Sequence, residues 1–376
     1  MNTITGTYAT ADIFTDNIES SAKKQIEWIC NNHISEGQSI KVMPDVHAGK
    51  IGPIGLTMTF KDKVIPSLVG VDLGCGMLLV QFEAKSGLEF MQLNTVIREH
   101  VPAGFNKRNT IHRYAEEEGQ SIINSLYCKE FIDTRTALAS LGTLGGGNHF
   151  IEIDRDEEGN NYLIIHSGSR HLGTSIAEYY TKKGYETLKL RGEELPYDVA
   201  YVDNGILSNY IEDVFTAQAY AYLNRRIIAE EILSNMKWKE VDRYSCIHNY
   251  VAPFEDRYIL RKGAISAKEG EKVIIPINMR DGVILGTGKG CKEYNYSAPH
   301  GAGRLYSRKE AKSRFNLRMF KDSMKGIFSP SINMDTLDEA PFVYRGIDEI
   351  IDNIKETVDI TKIIKPVYNF KAGGKD

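Results

Sequence analysis

The sequence lacks an excess of positive charge. Its 46 Lys and Arg residues are outnumbered by 50 Asp and Glu residues, which gives a formal charge of −4. This balance excludes a protein that binds nucleic acid through bulk charge alone, although it leaves room for a local basic groove. Charged residues make up 26% and hydrophobic residues 42% of the 376 residues. Both fractions are ordinary for a folded protein and argue against disorder.

Cysteines are also few, and long apolar runs are absent. The five cysteines are an odd number without a Cys-x-x-Cys pair, which favours a reducing, cytoplasmic setting over a disulfide-stabilised secreted protein. The first residues lack the charged-then-apolar pattern of a signal peptide. The most apolar stretch, residues 64–82, is interrupted by Asp72 and several glycines. We therefore expect neither a membrane span nor a membrane partner.

The remaining pattern predicts an α+β protein. Apolar residues at helical spacing predict helices over residues 18–29, from 215 to about 236, after a capping box of Ser307 and Glu310, and over 347–354. Short Val/Ile/Leu runs at 163–165 and 272–277 predict strands. Because no linker or repeat divides the chain, we expect one domain, 1–376, of mixed sheets with surrounding helices and glycine-rich loops.

One apolar segment contains two residue types that bind metals. In residues 69–77, Val-Gly-Val-Asp-Leu-Gly-Cys-Gly-Met, Asp72 and Cys75 lie in a strand-like run. A buried carboxylate needs a partner, because burial of an unpaired charge is very costly. A metal ion would satisfy both the carboxylate and a thiolate. A hydrogen-bonded core Asp beside an inert buried Cys is the alternative.

Further polar residues lie next to glycine-rich or asparagine-containing loops. They are Asp45 in 41–49, Asn148, His149 and Glu152 in 141–152, His166 and Arg170 in 163–170, His248 and Asn249 in 246–250, and His300 in 297–304. The three glycines before Asn148 either direct backbone N–H groups at a phosphate or form a tight turn. Small residues around His300 would let a large ligand approach its ring, which suits a nucleophile.

These segments, in this order, resemble the RtcB family of GTP-dependent RNA ligases. The matching pieces are Met43-Pro-Asp-Val-His47, Gly70-Val-Asp-Leu-Gly-Cys-Gly76, Gly147-Asn-His-Phe-Ile-Glu152, His166-Ser-Gly-Ser-Arg170, His248-Asn249 and His300-Gly-Ala-Gly-Arg304. The resemblance implies a ligase that joins RNA 3′-phosphate or 2′,3′-cyclic phosphate ends to 5′-hydroxyl ends, in RNA repair or tRNA splicing. The implied route passes through a histidine–GMP and an RNA-3′-pp-G intermediate.

The resemblance also implies roles for single residues. His300 would be the guanylylated nucleophile, assisted by Asp45 as a polar pocket residue and by Arg170 as an RNA phosphate contact. Two Mn²⁺ ions would be bound by Asp72, Cys75 and His149 and by Cys75, His166 and His248, with the Cys75 thiolate as the bridge. The GTP pocket would be lined by Asn148, Glu152, Asn249, Met279, His300, Gly301, Ala302, Gly303 and Lys371. Manganese follows from the resemblance, since ligand softness alone favours zinc or iron for a thiolate site.

One departure from the family pattern and two alternative functions leave the function open. The turn at 276–282, Pro-Ile-Asn-Met-Arg-Asp-Gly, replaces the small Gly/Ser-rich turn usual in the family, which puts the nucleotide selectivity in question. A metal-dependent 2′,3′-cyclic phosphodiesterase or phosphoesterase would keep the metal site without ligation. A non-catalytic RNA-binding protein would need neither the metal site nor the ligation chemistry.

For RNA we expect local cationic clusters, at Lys107, Arg108 and Arg113 and at Arg304, Arg308, Lys309 and Lys312. A monomer is compatible with the sequence.

Overall fold

A computed structural model describes residues 2–85 and 87–372 of the chain; residues 1, 86 and 373–376 of the expected domain lie outside the described part. Its strands are β1 (Asn2–Thr5), β2 (Thr10–Ile13), β3 (Ile40–His47), β4 (Ile54–Phe60), β5 (Lys63–Val64), β6 (Gly76–Glu83), β7 (Phe150–Arg155), β8 (Asn161–Ser167), β9 (Val202–Asp203), β10 (Lys239–Ile247), β11 (Asn249–Phe254), β12 (Arg257–Lys262), β13 (Ala264–Ser266), β14 (Lys272–Asn278), β15 (Gly282–Gly288), β16 (Ser297–Pro299) and β17 (Val358–Phe370). Its α-helices are α1 (Ser20–Cys30), α2 (Pro66–Val69), α3 (Phe90–His100), α4 (Gln120–Asn124), α5 (Thr134–Ser140), α6 (Arg170–Leu190), α7 (Asn204–Met236), α8 (Arg308–Arg314), α9 (Leu317–Ser323) and α10 (Ile347–Ile354).

Two larger sheets form the framework. The first has the strand order β1-β2-β3-β4-β12-β11, and the second has the order β10-β6-β8-β7-β17-β15-β14. Among the described strands of these sheets, neighbours run antiparallel except for the parallel pair β2 and β3. The predicted mixed α and β architecture is confirmed. Within the described residues, no helix is both long enough and apolar enough to cross a membrane.

The long helix α7 connects the hydrophobic cores of the molecule. Tyr220 and Leu223 belong to the core beside the first sheet, whereas Ile228 and Ile232, one to two turns later, belong to the core that covers one face of the second sheet. The sequence predicted this helix only from residue 215. The helix begins eleven residues earlier, at Asn204. Its first turns contain the weak helix formers Asn204, Gly205 and Ser208, which conceal the periodicity of the buried side chains.

The segment at 69–77 is not the strand-like run that its composition suggested. The chain forms the short helix α2, then a loop over residues 70–75, and only then β6. Gly70 and Gly74 adopt φ values of 110° and 71°, which favour glycine and interrupt a strand. Asp72 and Cys75 therefore lie on a loop, and the prediction that they lie in a strand is wrong.

A single buried guanidinium holds this loop against β8. Arg225 of α7 has no exposed surface, and its Nη1 donates to the carbonyls of Gly74, at 2.8 Å, and Ser167, at 2.7 Å. Gly74 precedes Cys75 and Ser167 follows His166. The guanidinium thus fixes the spacing between two segments that are far apart in sequence.

We predict that Arg225→Met lowers the free energy of unfolding by about 2–5 kcal/mol, because the buried carbonyls of Gly74 and Ser167 lose their donor. The matched control is Arg226→Met, which changes the next residue, a partly exposed arginine paired with Glu118. It should cost about 1 kcal/mol or less. Urea denaturation followed by circular dichroism measures both, and equal losses in the two variants would contradict the assigned role of Arg225.

Candidate metal and nucleotide site

Four neighbouring strands bring the predicted metal ligands to one edge of the second sheet. Cys75 directly precedes β6, His149 directly precedes β7, His166 is the penultimate residue of β8, and His248 directly follows β10. In the antiparallel register Met77 lies opposite His166, as does the first residue of β7. The start of one strand therefore lies beside the end of the next, and the four side chains meet.

The donor atoms form two groups that share Cys75. Its Sγ lies 3.4 Å from His149 Nε2 and 3.4 Å from His166 Nε2. His149 Nε2 lies 3.1 Å from an Asp72 carboxylate oxygen, and His166 Nε2 lies 3.3 Å from His248 Nε2. The donor atoms of Cys75, His149 and His166 all lie within 4.8 Å of one another. The structure thus brings together the residues of the two ligand sets that the resemblance implied.

The protonation states of these groups suit metal binding. Burial lowers the pKa of the His166 and His248 imidazoles well below their usual value, so both rings are neutral. His166 Nδ1 donates to the carbonyl of Asn148 at 3.1 Å, which leaves the lone pair on Nε2. Burial, followed by the Asp72 carboxylate, raises the pKa of the Cys75 thiol. A divalent cation would oppose both causes of the raised Cys75 pKa and displace the thiol proton.

A cleft of about 510 Å³ opens beside the donors. Every residue predicted for the nucleotide pocket lines it, namely Asn148, Glu152, Asn249, Met279, His300, Gly301, Ala302, Gly303 and Lys371. A cavity of this size and mixed polarity is typical of small-molecule sites. The sequence motifs, which are spread over more than 200 residues, thus converge on one cavity.

His300 is oriented by a buried carboxylate. Its ring centroid lies 4.9 Å from that of His248, and Asp45 Oδ2 accepts hydrogen bonds from the His300 ring Nδ1, at 2.7 Å, and backbone N, at 3.2 Å. With Nδ1 protonated, the lone pair is on Nε2. Gly303 adopts φ 71°, and a Cβ there would lie 3.1 Å from the Asp45 carbonyl oxygen. This glycine permits the close approach of the two segments.

Two buried acids lie on β7 behind the nucleotide cleft. Glu152 accepts a hydrogen bond from Asn369 Nδ2. Asp154 is completely buried, and neither of its carboxylate oxygens has a hydrogen-bond partner among the described residues. Burial raises the pKa of Glu152 to about 7, and burial together with Glu152 raises that of Asp154 well above its usual value. The pair therefore retains a proton at neutral pH.

Sequence reasoning missed Glu339, the carboxylate on which the cationic side of the cleft depends. It lies 3.0 Å from Lys371 Nζ, 2.7 Å from Arg308 and 3.3 Å from Arg304, and it accepts a hydrogen bond from the Tyr344 hydroxyl at 2.6 Å. Although burial opposes ionisation, these cations hold the pKa of Glu339 at about 2. Glu339 lies on a short 3₁₀ turn without a recognisable motif, so no sequence signal identified it.

Arg170 lies beside a second and larger cleft, of about 840 Å³, which Asp72 also lines. Its Nε donates to Thr143 Oγ1 at 3.1 Å and its Nη2 to the carbonyl of Gly104 at 2.7 Å. Two of its five N–H donors are therefore used, one to hold the loop at 142–147 and one to hold the turn at Gly104. The remainder of the guanidinium borders the cleft.

The expected cationic clusters are only partly exposed. Arg108 is mostly buried and donates to the carbonyls of Leu141 and His100, so the prediction of a surface cation there is wrong. Lys107 and Lys312 line the larger cleft. Arg108 is held inward because it donates to backbone carbonyls, among them that of Leu141 before the glycine loop, which has no partner within a regular element.

The turn at 276–282 is closed by its own side chains. Asn278 accepts hydrogen bonds from the backbone N–H groups of Arg280 and Asp281, both at 3.0 Å, and donates to the Asp281 carboxylate at 2.8 Å. This network stabilises the turn. Asn278 and Met279 also line the nucleotide cleft, so the turn contributes side chains to the wall of the cleft.

Comparison with known proteins finds similarity to the family whose motifs the sequence resembles. A family model described as tRNA-splicing ligase RtcB matches residues 31–129 and 123–372. The RNA-splicing ligase RtcB of Escherichia coli K12 is 34% identical over 371 aligned residues, which cover 89% of this chain and 90% of that protein. The tRNA-splicing ligases RtcB of Archaeoglobus fulgidus and Nanoarchaeum equitans are 29% and 27% identical and cover 86% and 88% of this chain, and 85% and 87% of their own lengths.

We predict that Cys75→Ala abolishes tight binding of divalent metal ions, because both donor groups lose their common ligand. Cys30→Ala, which alters another buried free cysteine far from the donor cluster, serves as the control and should bind as the wild type does. Metal content after gel filtration, measured by mass spectrometry, gives the stoichiometry. Unchanged metal content in Cys75→Ala would contradict the assignment.

We predict that Asp154→Asn stabilises the protein at pH 8 by about 1–3 kcal/mol and has little effect at pH 5. Since the pKa values of Glu152 and Asp154 are raised on folding, the folded state binds more protons and the wild type loses stability as pH rises from about 4.5 through 7. The neutral amide removes this loss because it has no carboxyl proton to lose. Thermal unfolding across the pH range measures it.

The control for this pH dependence is Asp156→Asn, two residues along the chain. Although burial opposes it, hydrogen bonds from Asn160 and Lys362 lower the pKa of Asp156. Its ionised form therefore stabilises the protein above the unfolded pKa. This variant should lose stability at pH 8, the opposite of Asp154→Asn. The same sign in both variants would refute the shared proton.

Proposed function

The chain belongs to the RtcB family, and on that premise we propose that it is a GTP- and Mn²⁺-dependent RNA ligase that joins 3′-phosphate or 2′,3′-cyclic phosphate ends to 5′-hydroxyl ends. The observation that carries the proposal is that His300, oriented by Asp45, lies in one cleft with the donors of Cys75, His166 and His248. A nucleophile beside a cluster that binds divalent ions is the arrangement that phosphoryl transfer requires.

In the first step His300 acts as the nucleophile. Its Nε2 lone pair attacks the α-phosphorus of GTP, a P–N bond forms, and the bond to the bridging oxygen breaks so that pyrophosphate leaves. Asp45, which holds Nδ1–H at 2.7 Å, stabilises the positive charge that develops on the ring. The buried carboxylate is therefore both a positioning group and a counter-charge.

In the next steps the guanylyl group passes to RNA. An oxygen of the RNA 3′-phosphate displaces the imidazole from the phosphorus and yields RNA-3′-pp-G. The 5′-hydroxyl then attacks the activated 3′-phosphate, a phosphodiester bond forms, and GMP leaves. A 2′,3′-cyclic phosphate first requires hydrolysis to the 3′-phosphate, which adds one water molecule. Arg170, at the border of the larger cleft, contacts an RNA phosphate in this scheme.

The donor set fits two metal ions. Asp72, Cys75 and His149 would hold one and Cys75, His166 and His248 the other, which agrees with the two groups of short donor distances. Bound Mn²⁺ would neutralise phosphate oxygens that otherwise repel one another and the thiolate. The neutral imidazoles and the low pKa of Asp72, which persists against burial because of the hydrogen bond to His149, favour this occupancy.

The rest of the cleft would bind the nucleotide. The loop at 301–303, Gly-Ala-Gly, lines this cleft and would allow close approach of phosphates because its side chains are small. Glu152, supported by Asn369, offers a carboxylate that matches the N–H donors of guanine. Lys371, held by Glu339 at 3.0 Å, adds a positive charge at the same wall.

A single catalytic domain over 1–376 in the cytoplasm, acting in RNA repair or tRNA splicing, completes the proposal. Helix α7 packs in the cores beside both sheets, which supports one cooperative unit rather than two. The five cysteines are all free thiols, which agrees with a reducing compartment.

We predict that His300→Ala abolishes the covalent protein–GMP adduct that forms with α-labelled GTP and Mn²⁺. The adduct should be acid-labile and alkali-stable, as a phosphoramidate is, and denaturing gel electrophoresis detects it. His100→Ala, in which a partly exposed histidine outside the cleft is changed, is the control and should form the adduct normally. An undiminished adduct in His300→Ala would remove His300 as the nucleophile.

A further inference from the structure

Phe105 is the most exposed large apolar side chain among the described residues. It is 98% exposed, whereas burial of a phenylalanine contributes about 1.5–3 kcal/mol to folding. A phenyl ring that stands fully in water contributes nothing to the core. The exposed ring is therefore available to a ligand.

The ring is mounted on a rigid turn. The carbonyl of Pro102 accepts a hydrogen bond from Leu144 N at 2.9 Å, and Gly104 N donates to the carbonyl of Gly145 at 3.0 Å. The Gly104 carbonyl in turn accepts a hydrogen bond from Arg170 at 2.7 Å. The turn is thus joined to the glycine loop beside the metal donors, and Phe105 has a fixed backbone position at a small entropic cost for binding.

The surroundings of the ring favour a nucleic acid. Phe105 borders the larger cleft together with the cations Lys107, Arg170 and Lys312, and the carboxylates of Asp133, Asp335 and Asp338 line the same cleft. The same cleft reaches Asp72 and Arg308, both of which also line the nucleotide cleft. A strand that follows the cations would therefore arrive at the candidate metal centre with its bases beside the ring.

We propose that Phe105 is a stacking platform for an unpaired base of the RNA, close to the end that is joined. This inference rests on the proposed function. An aromatic side chain beside cations is the usual means of binding single-stranded nucleic acid without sequence preference, and each stacked base contributes about 1–3 kcal/mol. The internal bases of a duplex could not use the ring, because both of their faces are already stacked on neighbouring bases. The platform thus selects RNA with unpaired nucleotides at the junction.

The test compares Phe105→Ala, Phe105→Leu and Phe105→Trp with the wild type, using fluorescently labelled single-stranded RNA with a 3′-phosphate. The affinity measured by anisotropy should fall about 5- to 100-fold for Ala and Leu and should stay within about twofold for Trp. Tyr127→Ala, which removes an exposed aromatic ring that lines neither cleft, should bind as the wild type does. Wild-type affinity for Leu would overturn stacking, and wild-type affinity for Ala would assign the ring to a different partner, such as a protein.

An abasic scan identifies the stacked nucleotide. At that nucleotide, removal of the base and Phe105→Ala should together weaken binding no more than either change alone. Additive losses at every position would overturn the proposal. Binding requires no chemistry, so failure of the wild type to join RNA counts against the proposed function and leaves the result for Phe105 valid.

Discussion

The geometry of the site depends on one buried cation. Arg225 has no carboxylate partner among its hydrogen bonds and donates instead to the carbonyls of Gly74 and Ser167 and, at 3.4 Å, to the Ser245 hydroxyl. Burial lowers its pKa to about 10, which still leaves it charged at neutral pH. A guanidinium in this position fixes two backbone segments at once, since its donors diverge from one rigid plane. The distance between these two segments sets the distance between the adjacent donors Cys75 and His166.

Asn224, the residue before Arg225, holds the glycine loop at 142–147 in place through hydrogen bonds. The side-chain oxygen of Asn224 accepts hydrogen bonds from the backbone N–H groups of Gly142 and Thr143, and its amide donates to the carbonyls of Thr143 and Gly168. A glycine-rich loop has much conformational entropy to lose, so external hydrogen bonds are what order it. The core helix therefore carries, within two consecutive residues, the polar contacts that organise three segments of the candidate site. The apolar surface of the helix fixes where those contacts are.

Residue chemistry explains which parts of this arrangement could be predicted. His300, Cys75 and Glu152 were identified because reactive or metal-binding side chains beside glycines are conspicuous in a sequence, and the capping box at Ser307 is a local pattern that the structure confirms. Glu339 could not be found, because an acid on a polar turn is indistinguishable from a surface residue until its cations are placed around it. Arg225 was equally invisible within an apolar helix, since nothing local distinguishes a buried arginine from one that extends to solvent. The loop at Asp72 was misjudged as a strand because composition does not report backbone conformation at glycine.

The charges of the cleft suggest how an acidic protein would bind RNA. Arg304, Arg308 and Lys371 each contact Glu339, so much of the local positive charge is already compensated before any ligand arrives. Compensated cations release few counterions, and a shallow dependence of affinity on salt follows. The remaining attraction must come from contacts that salt screens poorly. The proposed base stacking and coordination at the buried donors would be contacts of this kind, and both would act at the end of the strand rather than along its length. Such a surface discriminates between RNA ends more strongly than between RNA sequences, which is the selectivity that a ligase of broken strands requires.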